Sequence, residues 1–188
     1  MSLDKYYRLA AVILFLGVLF VVFEATGLRQ HFSLEFLRGR IEDNMVTGLA
    51  VFVLLFCLGN LIQIPGWIFL AAAVLTLGKV WGGVATYIAG VASCLSTYFI
   101  VGLIGGDALR RLDSTIAARI FKQLDRRPVQ SVFLLRTIFQ TVPALNYALA
   151  LSAVRFRDYA AGTLLGLPVP IAVYCIGFDF LAKHVFKL

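Results

Sequence analysis

Long apolar runs separated by short charged stretches dominate the chain. From Leu9 to Phe23 nearly every position is apolar, with Lys5 and Arg8 before the run and Glu24 after it. No small-x-small cleavage pattern stands out, so a retained signal-anchor helix is expected. Residues 31–43 change period. Phe32, Phe36, Leu37 and Ile41 recur at helical spacing among Glu35, Arg38, Arg40 and Glu42, which predicts a short amphipathic helix lying on a bilayer surface. The run from Met45 to Leu77 is interrupted at Gly59-Asn60 and at Gln63-Ile64-Pro65-Gly66. Proline lacks the amide donor and glycine allows a sharp turn, so a helix break is expected there. The piece beyond it, Trp67 to Leu77, has about eleven residues, well short of the ~20 that cross a hydrocarbon core. A hairpin that dips into the membrane and returns fits that length. Residues 80–106 are long enough to span, with small-xxx-small spacings at Gly78/Gly82 and Gly102/Gly106 that let neighbouring helices approach closely.

The second half repeats this rhythm loosely. In residues 107–127, Leu109, Leu112, Ile116, Ile120 and Leu124 form one apolar stripe. Arg110, Arg111, Arg119, Lys122, Arg126 and Arg127 populate the rest, as in a basic interfacial helix on the cytoplasmic side. Pro128 opens an apolar run through Val154, interrupted from Gln140 through Pro143 to Asn146, and followed by the charged edge Arg155 to Asp158. The last run, 159–182, contains Gly166, Pro168 and Pro170, which predicts a kink. With the N-terminus inside, the first hairpin opens outward and the second toward the cytoplasm. Every strongly basic segment then lies in the cytoplasm, although Lys183 and Lys187 fall outside. The two units, each a broken hairpin followed by a span and entering from opposite faces, follow the inverted-repeat logic of many transporters. Residue similarity between the halves is too faint to establish the repeat.

Composition agrees with the pattern. Of 188 residues, 61% are hydrophobic and 14% charged, against about 25% charged in soluble domains. The expected class is an all-α polytopic integral membrane protein with two opposed re-entrant hairpins, plus transmembrane and amphipathic interfacial helices. Residues 1–44 are read as an N-terminal transmembrane helix with the amphipathic helix, and 45–188 as the membrane domain. The net charge of +7 sits between apolar runs, which fits anionic headgroups rather than nucleic acid. Cys57, Cys94 and Cys175 are odd in number and widely spaced, which argues against a disulfide framework or a zinc site. His31 and His184 lie near segment ends. No metal or cofactor is expected.

Broken backbone cannot face hydrocarbon, because each unpaired N–H or C=O there costs several kcal/mol. Two breaks therefore imply a protected polar interior. Its candidate residues are Asn60 and Gln63 at the first break and Gln140, Thr141, Asn146 and Tyr147 at the second, with Pro65, Gly66, Pro143 and Pro168 as the breakers. The amides would either hand a polar group across the bilayer or satisfy the broken backbone. Arg136 lies inside an apolar run, where a cation costs ~2.5–3.5 kcal/mol on insertion scales. It would face the interior and suit a phosphate or carboxylate, or else snorkel to the surface or pair with a buried acid. Asp179 is a candidate for that partner, for a proton carrier, or for an interfacial pair with Lys183. Glu24 and Asp107 read as interfacial. No G-x-S-x-G, P-loop, metal-ligand cluster or paired carboxylates appear, so the chain is read as a non-enzyme.

The run Phe133-Leu-Leu-Arg136, Pro143, Asn146-Tyr147, Phe156-Arg157-Asp158-Tyr159, Gly162-Thr163 and Gly166-Leu167-Pro168 resembles the VTT domain of the DedA superfamily, which includes the SNARE-associated Golgi proteins. Pro65-Gly66, Gly78, Trp81-Gly82-Gly83 and Gly90 resemble its first re-entrant segment. The resemblance covers about residues 45–180. It implies two facing re-entrant hairpins and a role in lipid movement between leaflets, polyprenyl-phosphate recycling or proton-dependent membrane homeostasis. It also places the family's conserved arginine at Arg136 and its proline-asparagine segment at Pro143 and Asn146. Phe139 stands where members often carry a proline, and Gln63 or Gly66 where many carry a membrane-embedded acid. The leading expectation is a lipid flippase or scramblase acting on phospholipid or polyprenyl-phosphate headgroups. The alternatives are a secondary transporter of a small ion or anion and a non-transporting membrane organiser. Membrane lipids are the expected partners, self-association is left open, and the short chain without long soluble extensions is placed in a bacterial inner membrane.

Overall fold

A computed structural model describes residues 3–25, 44–106, 115–140, 142 and 144–181. The expected helix at 31–43, residues 107–114, Thr141, Pro143, Lys183, Lys187 and both histidines lie outside the described residues, as does the side chain of Arg119. All regular structure among them is helical: α1 (Leu3–Ala25), α2 (Met45–Leu61), α3 (Gly66–Gly105), α4 (Thr115–Arg126), α5 (Pro128–Phe139), α6 (Ala144–Ala150), α7 (Phe156–Gly166) and α8 (Pro168–Leu181).

α2 starts on Asn44, whose Oδ1 accepts from the backbone of Val46 at 3.0 Å and of Thr47 at 3.1 Å. Its end corrects the sequence reading. Gly59 and Asn60 do not interrupt the helix; their carbonyls close it. Ile64 N–H donates to Gly59 O at 2.8 Å and Gln63 N–H to Asn60 O at 3.2 Å, while Gln63 takes φ 66°. That is a Schellman stop with glutamine in the left-handed position that glycine normally fills. Pro65 then caps α3 with extended backbone (φ −61°, ψ 129°).

At about 1.5 Å per residue, the forty residues of α3 would make a ~60 Å rod, and they do not. Gly78 adopts φ 77°, ψ 169° and folds α3 into arms 66–77 and 79–105. A Cβ placed on Gly82 would lie 2.5 Å from Ala73 O, a contact that residues nine apart make only if the chain reverses. Met45 and Leu77 line one cavity with Trp81, so the short arm has returned to the level where α2 began. The arm 79–105 then runs alongside α2, bringing Ser93 to Asn60 at 2.6 Å.

The second unit has the same plan. α5 leads out as far as Phe139, and α6 leads back from Ala144. Asn146 and Tyr147 therefore sit inside α6 rather than in the break. The chain turns at Ala153 (φ 54°), beside Pro128 where α5 began. α7 then runs parallel to α5: a Cβ on Gly162 would meet Val132 and Val129 O at 2.6 and 2.8 Å, and one on Gly166 would meet Arg136 Cβ at 2.7 Å. Leu167 keeps helical dihedrals (φ −71°, ψ −35°), and its N–H and carbonyl bond Thr163 O and Ile171 N–H. Pro168, at the first position of α8, needs no donor there, so the helical run 156–181 is jointed at Leu167, beside the residues where the sequence predicts a kink.

The two long helices lie antiparallel. Lys79 meets Asp179, Gly83 meets Cys175, Gly90 meets Leu167 and Tyr98 meets Val154. Since each hairpin runs with its own long helix, the units are inverted relative to each other. The arm 79–105 runs ~40 Å and the 26-residue stretch Phe156–Leu181 ~39 Å, both past a ~30 Å hydrocarbon core. α1 docks through Val12 on Leu61, Val101 and Leu151.

Two substitutions test these turns by thermal unfolding in detergent. Gly82→Ala should lose about 1–3 kcal/mol by overpacking, whereas Gly17→Ala, inside α1 with nothing within 4 Å, should gain about 0.5–1 kcal/mol of helix propensity. Gln63→Gly should gain about 0.5–1 kcal/mol, because glycine adopts positive φ without strain.

Candidate functional site

Polarity in this bundle is inside out. Leu103 is 86% and Val46 78% exposed, whereas Arg136 is 2%, Asn60 5% and Asn146 7% exposed. A soluble protein cannot hold that distribution, since its large apolar side chains would face water.

Arg136 sits one turn from the end of α5, level with Gly166, near the middle of the jointed helix 156–181. Arginine offers only donors, and that fixes the polarity of all that surrounds it. Its Nη1 donates to Asn146 Oδ1. The amide of Asn146 is thereby turned so that Nδ2 donates to Asn60 Oδ1 at 2.8 Å, and Asn60 Nδ2 in turn donates to Ser93 Oγ at 2.6 Å. On the other side Nη2 donates to Tyr159 Oη at 2.7 Å, and the Tyr159 hydroxyl donates to Cys94 O at 2.9 Å. Both chains leave Arg136 and end on adjacent residues of the long arm of α3, forming a ring through α2, α3, α5, α6 and α7. Cys94 Sγ adds a contact to Asn146 Oδ1 at 3.4 Å, and the guanidinium lies 5.3 Å from the Tyr159 ring centroid. The Tyr147 hydroxyl donates to Leu61 O, pinning α6 to the end of α2.

Among the described residues, every partner of this cation is neutral. Nε of Arg136 is buried without a partner, as are the hydroxyls of Thr97 and Thr163 and Oε1 of Gln140. A buried charge costs several kcal/mol unless it is paired and hydrogen-bonded; the described residues supply hydrogen bonds and no counter-ion.

Of the residues singled out in the sequence, Arg136, Asn146 and Tyr147 meet at the contact between the hairpins. Gln63 stands at the first turn, half-buried, its side chain without a hydrogen bond to any described residue. Gln140 follows α5, one turn past Arg136, and does not bond it. Pro65 and Gly66 open α3, with Gly66 under the Phe56 ring. Asp179 is not the partner of Arg136: it meets Lys79 at 3.4 Å, thirteen residues and ~20 Å along the helix from the Gly166 level. Ser93, Cys94 and Tyr159 were not assigned roles from the sequence. A serine and a threonine four apart (Ser93, Thr97) inside an apolar span were the available signal. Cys57, Cys94 and Cys175 are free thiols, and no group of three metal-ligating side chains occurs among the described residues.

The architecture is an all-helical bundle with two helices long and apolar enough to cross a membrane, and with buried polar groups where α2, α3, α5, α6 and α7 meet. The VTT domain family matches residues 64–180, more than half of the chain, from the first break to the last turns of α8. The chain belongs to the VTT-domain family. Searches of characterised proteins and of solved structures give no match.

The network predicts an order of stability measured by thermal unfolding in detergent. Tyr159→Phe keeps the ring and loses one hydroxyl, costing about 1–3 kcal/mol. Asn146→Leu strands the guanidinium and Asn60 together, costing about 3–5 kcal/mol. Tyr87→Phe, which loses only an exposed bond to Leu164 O, should stay within about 0.5 kcal/mol of the parent.

Proposed function

We propose that this chain moves phosphate-bearing lipid headgroups between bilayer leaflets, as a flippase or scramblase without covalent chemistry. The observation that carries the reading is Arg136: a fixed cation, 2% exposed, with no acid among its partners, midway along the two long helices. In this reading the hairpins are re-entrant, and their broken backbone is tolerated because the tips face each other instead of lipid. Parting the tips would exchange the bonds from Arg136 to Asn146 and Tyr159 for bidentate bonds to a phosphate, which are stronger and match the guanidinium plane. Gln140, with a buried unpartnered oxygen, and Gln63 flank the same breaks and offer further hydrogen bonds along the route.

Charge orients the molecule. Lys122, Arg126, Arg127, Arg155 and Arg157 gather at one end of the bundle, and Lys79 pairs with Asp179 at the other. In this reading the first end faces the cytoplasm, as the usual excess of Lys and Arg in cytoplasmic segments supports, in a bacterial inner membrane with the N-terminus inside.

Reconstitution into liposomes carrying a leaflet-specific fluorescent phospholipid tests the reading. The parent protein should accelerate flip, Arg136→Ala should return it to the protein-free rate, and Arg136→Lys should recover only a small part, since lysine lacks the fork. No acceleration by folded protein, or full activity of Arg136→Ala, would exclude this function. Uptake of a small anion into sealed vesicles without lipid flip would assign the same breaks to ion transport.

A further inference from the structure

Two cavities share a wall at the basic end of the bundle. One, about 470 Å³, runs along Tyr98, Phe99, Gly102, Leu103 and Gly106. The other, about 310 Å³, is bounded by Leu124, Asp125, Pro128 and Asp158. Ala153, Val154 and Arg155 belong to both.

Their linings differ in kind. The larger cavity lies on the lipid-facing surface, where Leu103 is 86% and Phe99 50% exposed. Its floor is the Gly102–Gly106 face, bare of side chains for one helical turn. The smaller cavity carries charge of both signs. Arg155, at the N-cap of α7, and Asp158, in its first turn, stand three residues apart without forming an ion pair with each other. The turn that presents Arg155 holds Ala153 at φ 54°, a conformation that costs a non-glycine residue about 1–3 kcal/mol and that clusters at functional sites. The inner wall is Tyr98, whose hydroxyl donates to Val154 O at 2.6 Å and whose ring lies 4.7 Å from that of Tyr159, the residue that holds Arg136.

We infer that the joined cavities are a loading site for a zwitterionic phospholipid, with its phosphate on Arg155, its ammonium against Asp158 and an acyl chain along the Gly102–Gly106 face. Charge complementarity and depth decide the occupant. A free phosphate has no use for the apolar groove, and an anionic headgroup would meet the Asp158 carboxylate. Aromatic rings and Arg155 at this level also match the membrane interface, where amphipathic side chains settle. The site rests on the lipid-moving reading for its purpose but not for its binding, so the two can fail separately.

Native mass spectrometry of the full chain released from vesicles of equimolar phosphatidylethanolamine and phosphatidylglycerol tests the site. The parent should retain phosphatidylethanolamine preferentially. Arg155→Gln should lower retention of both lipids roughly tenfold, the loss of about one charge-assisted hydrogen bond. Asp158→Asn should abolish the preference. Gly102→Leu, at a position where a Cβ meets only Ala150 O at 3.8 Å, should block retention with the charges intact. Unchanged retention in Arg155→Gln and Gly102→Leu would overturn the site, even if lipid flip remains. Bound lipid that both variants release, with no flip by the parent, would keep the site and remove the transport reading.

Discussion

The guanidinium of Arg136 organises the structure because it can only donate. A cation in a bundle that exposes Leu103 and Val46 has to be enclosed, and once enclosed it needs acceptors aimed at it. Asn146 and Tyr159 supply them, and each is held by what it gives onward, to Asn60 and Ser93 on one side and to Cys94 on the other. Five helical segments are tied by one charge. Gly162 and Gly166 are explained by the same requirement, since only without side chains does α7 come close enough to α5 for Tyr159 to reach Arg136.

Around that centre the backbone solves a second problem. Short helices that stop inside a bundle leave carbonyls and amides without partners. The first stop is closed locally by the Schellman bonds of Gln63 and Ile64, and its outermost carbonyl, Leu61 O, is taken by Tyr147 from the other unit. The first tip therefore depends on the second unit to complete its bonding. In the proposed lipid-moving reading, separating the tips exposes polar groups that need a substitute, and a hydrated headgroup is one.

Much of this was legible in the residues. Two breaks in apolar runs, at Pro65 and near Pro143, follow from lost donors and from pieces too short to span. Arg136 stood out because a cation inside an apolar run is costly. Asn146 and Tyr147 were named with it. Asn60 was placed near a break, and Gly59-Asn60 was mistaken for one, because glycine and asparagine look like breakers unless the carbonyl partners are known. Asp179 resembled a partner for Arg136 only while its position along the helix was unknown; the antiparallel packing gives it Lys79 instead.

The sequence by itself determined the helical class, the long apolar runs and the neighbourhood of the two breaks, since these depend on local physics: hydropathy, proline's missing donor, and the cost of a buried cation. Tertiary structure alone decided which residues of the two units meet and the closed ring from Arg136 to Ser93 and Cys94. Those contacts join residues 10, 23, 65 and 86 positions apart, and no spacing rule along the chain says which distant amide will face which. The packing of 79–105 against 156–181 chooses, because glycine faces such as Gly83 and Gly90 permit close approach in one register.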